Sequence, residues 1–457
     1  MILLMTTAPP SNGPWYLGKR LPPLGLAYIA STLEEAGFDV KILDNYLVKK
    51  SATEIRQTVE ELKPEIVGIT CGSATYRQCI ENAKAIKDAL PLCKIVAGGW
   101  HPSYVPESML KHREIDYVVV GEGERAMVDL ARAIIHDEKE EVIAKIPGVA
   151  FRHKSGISKT PPKFIDDLDD LPFPARHLLP MQLYDRSVEF LKARPADIMS
   201  VARGCPFNCA FCETRKLWGS TCRFFSPERI VREIAHLVKC YGTKGIYFIN
   251  DNFTINSKHT KETCRLMLES HLDIEWACDT RVNMLSDGLL DIMSKAGCRT
   301  IWFGVESGSP RILKKLNRNI SLEQIEQGIK LCRKKGIQTA CSFMMGVPGE
   351  TLSDMEMSLS FAKKLNPDWC RFNVFIAYPD STLYHEILQS GQYDQLDDFL
   401  FTVKTAEYDF KSLLSLQRRF QKEFNRNPTR LLRKLKREGP AVFLKQGLRT
   451  LFSEIDA

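Results

Sequence analysis

Over the first 140 positions the apolar residues come in short runs, separated by segments in which they recur at helical spacing. The runs are MILLMTT (1–7), FDVKILD (38–44), EIVGIT (65–70), KIVAGG (94–99) and IDYVVVG (115–121). Near-continuous apolar runs of this length are strands buried on both faces. Between them the spacing predicts a helix in LPPLGLAYIASTLEEAG, closed by Gly37, and helices over 52–62, 75–89 and 123–136, with a short one after Gly99. Strands alternating with helices in this way build an α/β, doubly wound, Rossmann-like parallel sheet. Such sheets bind ligands beyond the carboxyl ends of their strands. That places Thr70, Cys71, Gly72 and Ser73, then Gly98, Gly99 and His101 of GGWHP, then Gly121, Glu122 and Gly123 of GEGE, as candidate cofactor-binding residues. The glycines let backbone approach a ligand closely, although tight turns alone also use them.

The pattern breaks over 141–194. IPGVAFRHKSGISKTPP reads as a hairpin, and FIDDLDDLPFPARHLLP is acidic and proline-rich, as a linker would be. A first domain over 1–140 and a second over 195–390 are therefore expected. The alternation resumes with strand ADIMSV and a helix starting at Ser226-Pro227, an N-cap followed by proline at the first helical position. Ile230, Ile234, Leu237 and Val238 form one face of that helix. Strand GIYFIN follows, then strands at 274–279, 300–305, 338–345 and 370–377. The expected helices lie at 287–296, 310–316, 321–335 (opened by the capping-box pattern SLEQ), 352–365 and 382–390. Six βα units are too few for a closed eight-stranded barrel, so an open, partial (β/α)6 barrel is predicted, with its chemistry at the carboxyl ends of the strands. Residues 391–457 read as a helical, polar extension without strands.

Composition adds little to the fold and something to the setting. At 44% hydrophobic and 26% charged, the 457-residue chain reads as globular. No apolar run approaches the roughly 20 residues that span a bilayer, and MILLMTT reads as a buried strand rather than a leader. Fourteen cysteines scattered through a chain this long point to a reducing, cytoplasmic compartment rather than a disulfide framework. The net charge of +7 is concentrated at the end: residues 411–457 hold twelve Lys or Arg and four Asp or Glu, a balance of +8, which leaves −1 for the rest. Mixed with Leu, Val and Phe, these basic residues suit either peripheral contact with an anionic membrane or a solvated helix face. They sit in no recognisable nucleic-acid module, so nucleic acid is not an expected partner.

The chemistry is concentrated in RGCPFNCAFC, which brings Cys205, Cys209 and Cys212 within eight residues directly after the first strand of the second domain. Structural zinc takes four ligands at short spacing, and the next cysteine, Cys222, is ten residues on. Three thiolates can instead hold three irons of a [4Fe–4S] cluster and leave the fourth open. CPFNCAFC, a CxxxCxxC with Phe211 before its last cysteine, resembles the signature of the radical S-adenosylmethionine (SAM) enzymes. The resemblance implies that SAM fills the open iron position and that cluster reduction cleaves it to a 5′-deoxyadenosyl radical. It also implies SAM-binding roles for Asn250, Asp251 and Asn252 in FINDNFT, Arg281 in DTRVN, Glu306 and Ser307 in WFGVESGSP, and Val347 in MMGVPGET. The Gly-Gly-Glu usual after the second strand is absent here.

An α/β domain ahead of such a barrel resembles the cobalamin-binding domain of cobalamin-dependent radical SAM proteins, over about residues 1–390. Many cobalamin domains carry Asp-x-His-x-x-Gly after the first strand. Here the loop reads APPSNGPWYLGKRLPP, without histidine, so cobalamin is expected base-off with no histidine below the cobalt. The resemblance implies three cofactors (a [4Fe–4S] cluster, SAM and cobalamin), an electron donor such as flavodoxin or ferredoxin, and a small-molecule substrate, lipophilic if the tail meets a membrane. The expected reaction is methylation of an unactivated carbon through methylcobalamin. Non-methylating oxidative chemistry of the kind catalysed by the anaerobic magnesium-protoporphyrin ester cyclases is the alternative within the family, and a cobalamin-holding sensor is the alternative outside it.

Overall fold

The computed structural model describes residues 1–8, 21–379 and 381–438. The basic stretch beyond 438 and most of the loop after the first strand lie outside the described residues. The first sheet contains β1 (Ile2–Thr6), β2 (Val40–Leu43), β3 (Ile66–Thr70), β4 (Lys94–Gly98), β5 (Tyr117–Val119), β6 (Val149–His153) and β7 (Gly156–Lys159) in the order β2-β1-β3-β4-β5-β6-β7. The first five strands are parallel, and the β6–β7 hairpin joins antiparallel to β5. The period of two is explicit in β1. Ile2 and Leu4 enter the core under helices Leu24–Glu35 and Gly123–Ile135, while Leu3 and Met5 enter the core under Ala52–Leu62 and Tyr76–Ala89. Burial on both faces is what the unbroken apolar runs require.

The second sheet opens with β8 (Ala196–Met199). After a small two-stranded ribbon of β9 (Ala202–Arg203) and β10 (Arg223–Phe224), it continues through β11 (Gly245–Phe248), β12 (Glu275–Thr280), β13 (Cys298–Glu306), β14 (Gln338–Met345) and β15 (Trp369–Val374). These six strands pair in sequential order, all parallel, and β8 and β15 do not meet, so the barrel is open. The linker's Phe190 plugs the amino end of the lumen, its ring 5.0 Å from Tyr247 and 5.4 Å from Trp302, while its carbonyl accepts the Thr300 hydroxyl at 2.9 Å. A helix over Ser257–Glu269, too polar to stand out as amphipathic, completes the βα units.

The extension is not purely helical as expected. Two three-residue strands, β16 (Tyr393–Gln395) and β17 (Phe401–Val403), form an antiparallel pair too short to show as a periodic pattern. Helix Phe410–Asn425 then covers the free edge of β15, where Gln417 and Gln421 donate to the carbonyls of Phe372 (2.7 Å) and Cys370 (3.0 Å). In the last described helix, Arg433 donates to Asn366 Oδ1 at 2.7 Å, at the amino end of β15 and so away from the cysteines. No helix among the described residues is long and apolar enough to cross a membrane.

Candidate active site

The carboxyl ends of the two sheets face each other across a cavity of about 740 Å³. Cys205, Cys209 and Cys212 line it, together with Asn250, Asp251, Asp279, Arg281, Glu306 and Arg318 from the barrel, and Leu24, Tyr28, Trp100 and Glu124 from the first domain. Arg281 and Arg318 each donate to Cys209 Sγ at 3.5 Å. Arg281 also lies 3.9 Å over the Phe207 ring within the cysteine loop. Burial pushes the Cys205 thiol up to about 11, so metal binding rather than solvent must deprotonate it. Among the described residues no three His, Cys, Asp or Glu side chains converge as a single ion would require. Three sulfurs opening on one cavity beside two guanidinium groups suit an anionic polynuclear cluster better than zinc.

Glu306 ends β13 with φ of 70°, a left-handed conformation unusual for glutamate, at a register shift against β14. Gly304 makes room for it, because a Cβ there would lie 2.2 Å from Glu306 Oε1. Burial raises the Glu306 carboxyl, and Arg318 (3.8 Å away) and Arg281 oppose the rise. Burial also lowers the basicity of Arg281, as does the neighbouring Arg318. The Nε atoms of both arginines are buried without a hydrogen-bond partner, as groups awaiting an anionic ligand would be. Asp251 accepts from Thr214 at 3.1 Å, and Thr214 in turn lies 3.3 Å from Cys212 Sγ.

On the first domain, Thr70, Gly98, Gly99, Gly121 and Gly123 line an apolar slot of about 170 Å³ that adjoins the cysteine cavity. Thr70, Cys71 and Gly72 line a further hollow of about 400 Å³. A glycine-lined apolar slot and a roomy hollow at the strand ends fit the flat, bulky body and arms of a corrinoid.

Several expected site residues face elsewhere. His101 is fully buried. Its Nδ1 lies 3.0 Å from Ser73 Oγ, its ring packs between Tyr76 (5.0 Å) and Phe399 (4.6 Å), and burial lowers it to about 4. Both His101 and Ser73 are therefore core residues. Glu122 does not reach the slot, because it clasps Arg223 through both oxygens (2.7 and 3.0 Å) and accepts the Ile165 N–H. With Glu124, which pairs with Arg203 at 2.5 Å, it fastens the first domain to the root of the cysteine loop. Asn252 accepts the Thr280 hydroxyl at 2.6 Å below the cavity. Ser307 turns to the Ser358 hydroxyl at 3.2 Å, and Val347 is buried with its N–H donating to Glu350 at 3.0 Å. Asn250 does line the cavity, and its amide also binds the backbone of Val201 and Ala202, which fixes the exit from β8.

The structure adds Trp100, Asp279 and Arg318 to the site. Asp279 stands two residues before Arg281 and shares its cavity, a placement that strand alternation anticipates. Arg318 had a subtler signal in Asn-Arg-Asn: Asn317 and Asn319 adopt φ of 53° and 48°, which asparagine tolerates, and Asn317 donates to the Asn208 carbonyl in the cysteine loop at 2.6 Å.

Comparison with known proteins agrees with this geometry. A family model for the radical SAM superfamily matches residues 199–362, and one for the B12 binding domain matches 16–131. An uncharacterized methyltransferase of Pyrococcus horikoshii is 33% identical over 86% of this chain and 82% of its own length. The anaerobic magnesium-protoporphyrin IX monomethyl ester cyclase of Rubrivivax gelatinosus is 29% identical over 80% of this chain and 66% of its own length. The fold is shared with the radical SAM methyltransferase TsrM of Kitasatospora setae, solved with cobalamin and a [4Fe–4S] cluster bound (TM-score 0.69, 20% identity, 85% of this chain and 74% of that one). The chain belongs to the cobalamin-binding radical SAM enzymes, whose cofactors are a [4Fe–4S] cluster, SAM and cobalamin.

Proposed function

We propose that this enzyme transfers a methyl group to an unactivated carbon of a small, largely apolar substrate. The observation that carries the reading is one cavity with three cysteine sulfurs on one wall and the strand ends of the cobalamin-binding domain on the other. When bound, the cluster, SAM and cobalamin supply a carbon-centred radical and a transferable methyl group. The chain's own residues then have defined tasks. Cys205, Cys209 and Cys212 hold the cluster. Arg281 and Arg318 offer guanidinium groups to the SAM carboxylate, and Asp251 and Glu306 offer acceptors to its amino and ribose groups. Ile198, Phe211, Ile249 and Trp302 give the same cavity an apolar wall, suited to a hydrocarbon skeleton and to excluding water from a radical. The Arg203–Glu124 and Arg223–Glu122 pairs keep the two halves in register.

The test is to feed methyl-labelled methionine to cells making this chain or its Cys212→Ala variant, and to assay the purified chain for 5′-deoxyadenosine. A labelled small molecule that depends on Cys212 supports methyl transfer. 5′-Deoxyadenosine without any labelled product overturns it and favours oxidative chemistry of the kind named for the cyclase relative.

A further inference from the structure

Trp100 opens the helix Trp100–Tyr104 at the end of β4, and it is 62% exposed although it stands where the two domains meet. Among the described residues it is the one side chain that borders all three adjoining spaces: the apolar slot, the outer hollow and the cysteine cavity. Its backbone is fixed from both sides. Gly99 before it has φ of +96°, and a Cβ there would lie 2.6 Å from Thr70 Oγ1 and 2.9 Å from the Cys71 carbonyl. His101 after it is locked between Tyr76 and Phe399. A large apolar ring on a fixed backbone at the junction of three cavities, with most of its surface uncovered, is placed for a ligand rather than for the core.

We propose that Trp100 is the residue against which the corrinoid rests. Its indole lies on the ring face turned toward the first domain and keeps water and protein ligands off the cobalt from that side. The assignment rests on the family reading above. Indole is chemically suited to the task. It is flat, it is apolar apart from one N–H donor, and its nitrogen has no free lone pair with which to bind a metal. The neighbouring imidazole, which could ligate, is turned into the core. Trp100 would thus leave a bound corrinoid's cobalt without a protein ligand on this side, in addition to the histidine missing from the loop after β1.

The test uses the full-length chain carrying its iron–sulfur cluster, titrated with hydroxocobalamin. Binding is followed by quenching of tryptophan fluorescence and by the change in corrinoid absorbance, and axial ligation by the EPR spectrum of the bound corrinoid reduced to Co(II). Trp100→Ala is expected to bind about tenfold more weakly, equivalent to ~1.4 kcal/mol, and to gain the spectrum of an axial water. Trp100→Phe is expected to stay within about threefold of the wild type and to keep its spectrum. Unchanged iron content and thermal melting in both variants establish that they are folded. Wild-type affinity and an unchanged Co(II) spectrum in Trp100→Ala would overturn the proposal, as would equal weakening in both variants without any change of ligation. A wild-type chain that binds no hydroxocobalamin would instead sink the cofactor reading itself, a result distinct from a failure confined to the variants.

Discussion

At the ends of β3, β4 and β5 the first domain presents Thr70, Gly98, Gly99 and Gly121 to its slot, whereas β12 and β13 of the barrel present Asp279, Arg281 and Glu306 to theirs. Both faces are carboxyl ends of parallel strands, and both look onto adjoining space. One is smooth and nearly uncharged. Among the described residues the carboxylate that lines it, Glu124, is paired with Arg203, and Glu122 is turned to Arg223. The other carries thiols, guanidinium groups and carboxylates, several of them buried. Each face therefore holds what it binds in its own way. The first can grip only by shape, which suits a bulky cofactor with its own metal. The second can bond and neutralise, which suits a cluster and a charged sulfonium amino acid.

If the two faces bind independently, damage to one spares the other. Alanine at Cys205, Cys209 or Cys212 is expected to abolish iron retention and SAM cleavage while leaving hydroxocobalamin binding intact, read by iron analysis, 5′-deoxyadenosine yield and corrinoid absorbance. The seam between the faces comes next. Glu124→Ala leaves Arg203 buried with Glu122, 3.5 Å away, as its remaining carboxylate and should cost ~1.5–3 kcal/mol, visible as a lower melting temperature or urea midpoint. The charged face is then probed by Arg281→Met. Loss of one charge-assisted hydrogen bond of ~1.5–3 kcal/mol should weaken SAM binding roughly 10- to 100-fold in equilibrium dialysis and spare cobalamin. The smooth face is probed by Gly98→Val, which adds bulk where an added Cβ would meet nothing closer than 3.9 Å. The expected outcome is the mirror image: cobalamin affinity falls by about tenfold while iron content and SAM binding hold.

The smallest expected effect is on pH dependence. Burial raises Asp279 from its ordinary 3.8 to about 7, against the hydrogen bond it accepts from Tyr247 at 2.6 Å. Between those values the folded chain keeps a proton that the unfolded chain has released, so this group's contribution to stability falls as pH rises through the window. Glu350, raised by burial to about 7 while it accepts the Gly346 and Val347 N–H groups, adds to the same slope. Melting temperature measured from pH 5 to 8 should therefore drop less steeply in Asp279→Asn than in the wild type, without becoming flat.

How far the sequence was legible follows a physical rule. Helices Ala52–Leu62, Leu352–Leu365 and Thr382–Ser390 lie where the apolar spacing puts them, and so do the two sheets, because burial on one or two faces writes a strong period. The cysteine loop was legible because its residue types are unusual together. Which member of a neighbouring pair faces the cavity was not. Trp100 and His101, Asp251 and Asn252, and Glu306 and Ser307 are adjacent pairs at strand ends, and in each the first lines the cavity while the second turns to the core. Trp100 and His101 open a helix and the other two pairs lie at or just past a strand end, and adjacent side chains diverge there, so without the packed structure nothing in the chain says which of the two faces the cavity. Glu122 misled for another reason: its partner Arg223 lies 101 positions away, and only the docked domains bring them together.

A four-iron cluster with one position open to SAM is expected at the three-thiolate site. Its most direct test is EPR spectroscopy of the anaerobically prepared, dithionite-reduced chain, recorded before and after addition of SAM. The expected result is a reduced four-iron signal that changes shape when SAM is added and is lost in Cys209→Ala. A chain that carries no four-iron signal, or one whose signal is indifferent to SAM, would contradict it.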